Sequence, residues 1–130
     1  MYSIEKKDYG LRIVEGGIVG IEEALELLSE LKAEIEKVKR PFQIFVDMRT
    51  LLPLSEEVQK VFVDAHILVL ANGMNRSVAI LKDNLVILQH IKTSKETGLD
   101  QVERYISALD NPDWEQQGLD WILDGKEPTG

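Results

Sequence analysis

The apolar positions of the chain change period several times, and each change marks an element. Tyr2 to Lys6 and Leu11 to Glu15 alternate apolar with polar residues on either side of Asp8-Tyr9-Gly10, which predicts two short strands joined by a tight turn. Gly16, Gly17 and Gly20 then interrupt the alternation. Ile21, Ala24, Leu25, Leu28, Leu31, Ile35 and Val38 recur at the spacing of one helical face, predicting a first helix to about Lys39. Pro41 stops it. Phe42 to Val46 is a compact β-rich run that predicts a central strand ending in Asp47, followed by a loop from Met48 to Leu54. Ser55 offers a hydroxyl to cap a second helix, and Glu56 and Glu57 stand at its positive dipole end; that helix runs to about Asn72 and stops at Gly73. Arg76 to Leu81 reads as another buried strand, Leu85 to Thr97 as a third helix ended by Gly98, and Gln101 to Ala108 as an edge strand. Asn111-Pro112 opens a last helix holding Trp114, Leu119, Trp121 and Ile122.

The resulting order is β-β-α-β-α-β-α-β-α. Strands that alternate with helices predict an α/β domain: a mostly parallel sheet of about five strands, connected by right-handed crossovers and flanked by helices. A chain of 130 residues, 44% hydrophobic and 29% charged, has the size and composition of one globular unit. The expected domain covers residues 1–125, with 126–130 as a flexible tail.

Charge and composition narrow the function by exclusion. The net charge of −8 repels a phosphate backbone instead of releasing counterions from it, so no nucleic-acid partner is expected. From Asp100 to Gly130 eight acids oppose Arg104 and Lys126, which gives 2 − 8 = −6 for this end alone, a solvated acidic face or a docking surface for a basic partner. Cysteine is absent, which removes disulfides and thiolate chemistry together and fits a reducing cytoplasm. The N-terminal residues show no basic segment followed by an apolar one, and no apolar run approaches the roughly 20 residues that span a bilayer, so neither secretion nor a membrane span is expected.

Two segments carry a family resemblance. Ile44 to Gln59 (IFVDMRTLLPLSEEVQ) resembles the strand, loop and helix of SpoIIAA-like proteins, the anti-sigma-factor-antagonist relatives in the STAS superfamily, which in turn resemble lipid-binding CRAL-TRIO domains. Arg76 to Gln89 (RSVAILKDNLVILQ) resembles the next strand and helix of that group, and the element order matches over nearly the whole chain. The resemblance implies a STAS-like fold and a non-catalytic regulatory module that binds a protein partner near the start of the second helix. In the phosphoswitching members a serine at that helix start is phosphorylated by a partner kinase. Here the Asp-Ser-Ser-Gly-type signature is absent, and a gapless overlay puts Glu56, one residue after Ser55, in the serine's place. What carries over is the fold and the location of the surface, not the phosphorylation mechanism.

Ligands of open parallel sheets gather at the carboxyl ends of the strands. That edge is expected to collect Gly16, Gly17, Asp47, Arg49, Ser55, Glu56, Lys82 and Asp83 as a partner- or ligand-binding surface. Two readings stand there: Arg49 and Lys82 hold an anion or a partner's carboxylate, or Asp47 pairs with Arg49 to tie the loop down while Ser55 caps its helix. No catalytic motif, phosphate-binding loop or zinc motif occurs, so no enzyme activity, cofactor or metal is expected. His66 and His90 lie on different helices, neither has a second ligand at i, i+4, and both are expected as surface or half-buried residues. Val61 to Ala71 (VFVDAHILVLA) is apolar over more than one stripe. Its second face calls for a cover: the third helix, a homodimer seam, or a small apolar or lipid ligand in a pocket, with Phe62, His66, Leu70 and Leu88 as the candidate dimer or pocket surface, joined by Leu85 and Ile87 in a dimer. The tryptophans at 114 and 121, seven residues apart, are expected to close the core.

Overall fold

A computed structural model describes residues 1–129. Its elements are β1 (Tyr2–Lys7), β2 (Gly10–Gly17), α1 (Ile21–Ile35), β3 (Phe42–Leu51), α2 (Glu56–Ala71), β4 (Met74–Leu81), α3 (Asn84–Thr97), a 3-10 turn (Leu99–Gln101), β5 (Glu103–Ser107) and α4 (Trp114–Asp124). The five strands form one sheet in the order β1-β2-β3-β4-β5, with β1 antiparallel to β2 and every other neighbour parallel. The expected α/β class and element order are both present. Among the described residues no helix is long and apolar enough to cross a membrane.

Because side chains alternate across a strand, the two faces of the sheet carry two cores. On one face Leu11, Ile13, Ile44, Met48, Ala79 and Leu81 pack against the buried stripes of α1, α2 and α3. On the other Phe45, Val78, Ile80 and Ile106 meet Trp121 and Ile122 of α4, with Trp114 and Leu119 beside them. Both tryptophans therefore serve the core. α2 lies between α1 and α3, which explains its broad apolar surface: the helix needs cover on two flanks as well as from the sheet.

Two boundaries depart furthest from the sequence reading. α1 ends at Ile35, not near Lys39, because the chain turns there (Lys37 N to Glu34 O, 3.0 Å) and sends Val38 back into the core. β3 continues to Leu51 through what reads as a loop. Past a register shift at Val14/Gly16, Gly16 pairs with Thr50 and Gly17 with Leu51. The register needs glycine, since a Cβ on Gly16 would stand 2.4 Å from the Thr50 hydroxyl oxygen. Of the expected tail, Gly130 lies outside the described residues, while Glu127 bonds both Nε and Nη2 of Arg104, at 2.7 and 2.8 Å.

Candidate functional site

The carboxyl ends of β2 to β5 form one continuous rim. Leu52 N donates to Gly17 O (3.1 Å) and Ala108 N to Leu81 O (2.8 Å), so the loops leaving neighbouring strands are joined in pairs. Gln89 of α3 fixes the loop after β3 from the side, accepting from Leu54 N (2.8 Å) and donating to Leu54 O (3.0 Å). On this frame stand large apolar side chains open to solvent: Ile18 after β2 (81% exposed), Leu52 after β3 (45%), Leu85 after β4 (51%) and Leu109 after β5 (56%). Leu88, one turn further along α3, is also exposed. Each strand that ends at the rim thus delivers one uncovered apolar residue.

The polar residues expected at this edge divide into two groups. Ser55, Glu56, Lys82 and Asp83 lie on the rim. Ser55 Oγ accepts from Val58 N (3.2 Å), and Asp83 Oδ1 accepts from Leu85 N and Val86 N (2.9 and 3.0 Å), so each caps a helix start. Asp47 and Arg49 point to the α4 side of the sheet. The buried Asp47 carboxylate takes Arg49 Nε and Nη2, both at 2.9 Å, and the guanidinium lies 4.0 Å from the Trp114 ring centroid. Arg49 is thereby committed to tying the strand end to α4, and it does not share an anion site with Lys82. Of the candidate dimer or pocket residues, Phe62 and His66 are buried against the sheet, Leu70 is half-buried and Leu88 exposed. They do not make one surface.

A second polar site lies under α2 and α3. Glu103 of β5, 2% exposed, accepts from His90 Nε2 at 2.7 Å, Ser77 Oγ at 2.8 Å and Ser94 Oγ at 3.2 Å. Burial penalises both charges, yet each partner outweighs that penalty for the other. The net result holds the Glu103 carboxyl below the usual range and raises the His90 imidazole above its own, a buried ion pair. The glutamate, not the histidine, stands between the hydroxyls and the ring, so neither serine is activated as a nucleophile. The His66 ring meets His90 edge-on at 5.4 Å, and burial holds the His66 imidazole down at about 4. Glu15, at the end of β2, faces the same space, and burial pushes its carboxyl up to about 7.

These groups line a cavity of about 60 Å³ between the helices and the sheet, walled mainly by apolar residues such as Ile13, Leu31, Ile44, Phe62 and Val69. It has room for a few waters or a handful of non-hydrogen atoms; a long-chain lipid does not fit that volume. The histidines, expected at or near the surface, are both buried. The acids at 15 and 103 escaped the sequence reading because their charge suggests exposure. Parity was the available signal: Glu15 follows Leu11 and Ile13 at period two, on the inward face of β2.

No family model matches the chain, and no curated protein does. Solved structures are similar, two of them as follows. The unphosphorylated form of the anti-sigma factor antagonist SpoIIAA superposes with a TM-score of 0.59 at 12% identity, over 89% of this chain and 96% of that one. An anti-sigma factor antagonist from Mycobacterium paratuberculosis gives 0.57 at 14% identity, over 85% and 88%. At such identity the likeness is one of fold, and the fold of this chain is the SpoIIAA-like, STAS-type α/β fold.

Proposed function

We propose that the chain is a non-catalytic regulatory module that binds a protein partner through the rim at the carboxyl ends of β2 to β5. The observation that carries this reading is the apolar row of Ile18, Leu52, Leu85 and Leu109, one following each rim strand, held on a hydrogen-bonded frame. Uncovered apolar side chains grouped on one edge and bordered by charge are the usual marks of a protein contact. Glu56, Lys82 and Asp83 supply the polar border, with Ser55 among them. The two solved structures described above are anti-sigma factor antagonists, which supports a protein as the occupant.

The test is affinity capture with the purified chain from the lysate of its own organism, followed by direct titration of the captured protein. Leu52→Asp together with Leu85→Asp is expected to weaken binding more than about tenfold, as loss of a central apolar contact does. Both positions are exposed, so the melting temperature stays close to that of the unaltered chain. Leu25→Asp, on the outer face of α1 (51% exposed), serves as control and leaves binding unchanged. Undiminished binding by the rim variant, or capture of nothing, rejects the reading.

A further inference from the structure

Charge inside the cavity under α2 and α3 does not balance. The Glu103 carboxylate is matched by the His90 imidazolium and two hydroxyls. Glu15 is not matched: it is 7% exposed, and its Oε2 has no hydrogen-bond partner among the described residues. His66 Nδ1, also buried, is equally unpartnered. Burial keeps the His66 ring neutral, and with its one proton on Nε2 the ring presents a lone pair at Nδ1. A carboxylate and an imidazole lone pair thus face an otherwise apolar cavity with one negative charge in excess. Burying such a charge uncompensated costs several kcal/mol.

We propose that this cavity binds a short primary amine as its ammonium ion, with Glu15 as counter-ion, His66 Nδ1 as second acceptor, and Leu31, Ile44, Phe62 and Val69 around the alkyl group. An ammonium supplies both missing quantities, a positive charge and several N–H donors, and its short chain matches the wall. The volume of about 60 Å³ limits the ligand to a few non-hydrogen atoms. A metal ion is a poor match, since no group of three or more His, Cys, Asp or Glu converges among the described residues.

Without the amine, a proton on Glu15 restores neutrality, which agrees with the upward shift of its carboxyl. Amine uptake displaces that proton into solvent. The other ionisable groups facing the cavity are His66 on α2, His90 on α3 and Glu103 on β5, with Tyr105 beside His90 and the Met1 ammonium acting on Glu15 from the end of β1. α1 and β3 contribute apolar side chains, and β4 contributes Ser77.

The experiment titrates the full chain with ethylamine, ethanol or acetate at constant ionic strength, following the His66 and His90 imidazole resonances by NMR. Ethylamine is expected to bind saturably, ethanol at least tenfold more weakly, and acetate not at all. Affinity for ethylamine is expected to rise about tenfold from pH 6 to pH 8 as Glu15 releases its proton. Glu15→Gln is expected to abolish amine binding while keeping the fold. Equal affinity for ethanol and ethylamine, no pH dependence, no binding at all, or undiminished binding by Glu15→Gln overturns the proposal. The comparison of ligands on the unaltered chain decides the matter even if the variant does not fold.

Discussion

Glu103 and His90 show how a charged pair survives in the interior of a small domain. Two charges removed from water cost more than their mutual attraction returns unless further hydrogen bonds complete the shell. Ser77 and Ser94 do so from β4 and α3, leaving Glu103 with donors from three side chains. Removing one member therefore hurts more than removing both. Glu103→Gln is expected to destabilise the fold by about 3–5 kcal/mol, the cost of leaving a buried partner uncompensated. In a His90→Gln background the same change is expected to cost clearly less. Urea unfolding of the four proteins measures the coupling, and additive losses would show that the pair is not a unit.

Among the elements, α4 has the most demanding fit. Among the described helices it alone covers its face of the sheet, and each parallel strand sends one arginine to that side: Arg12 over Phe45, Arg49 over Trp114, and Arg76 and Arg104 over Trp121. Trp121 Nε1 donates to Ser77 O at 2.8 Å, locking the helix to β4. The close approach depends on Gly118, where a Cβ would stand 2.6 Å from Phe45 Cε2. Gly118→Ala should therefore cost about 1–3 kcal/mol despite its better helix propensity, because overpacking outweighs the gain. Chemical unfolding followed by tryptophan fluorescence checks this, and a stabilised variant would contradict the packing argument.

The same scale shows what the sequence made legible. Period changes located every helix and strand, and the two tryptophans at heptad spacing placed α4 in the core. The end of β3 was not legible, since its last pairing rests on a register shift and a side-chain-free Gly16. Arg49 could be read as an anion ligand or a tie, and only the turn of β3 toward Trp114 decides between them. The rim was visible as an edge but not as an apolar row, because Ile18, Leu52 and Leu109 lie in three separate loops and Leu85 in the first turn of α3, segments that sequence does not align.

Over the whole molecule, the buried titratable groups oppose one another, and their sum sets how stability follows pH. The Glu15 carboxyl is raised from 4.5 to about 7, so its contribution is full below pH 4.5 and is lost as pH rises to 7, about 3 kcal/mol in all. The His66 imidazole is lowered from 6.5 to about 4, so its contribution is full above pH 6.5 and is lost as pH falls. Between about pH 4.5 and 6.5 the two slopes are opposite and nearly cancel, giving a plateau. Above it, the raised His90 loses its contribution as pH passes its folded value; below it, the lowered Glu103 does the same in the acid direction. Glu15→Gln removes one slope and leaves the other. This variant is expected to match the unaltered chain near pH 4.5, to gain stability up to pH 6.5, and to exceed it by about 3 kcal/mol at pH 8. Urea unfolding at these three pH values reads the difference directly. A constant offset across them would mean that Glu15 binds its proton equally in the folded and unfolded chain, and the plateau would then need another origin.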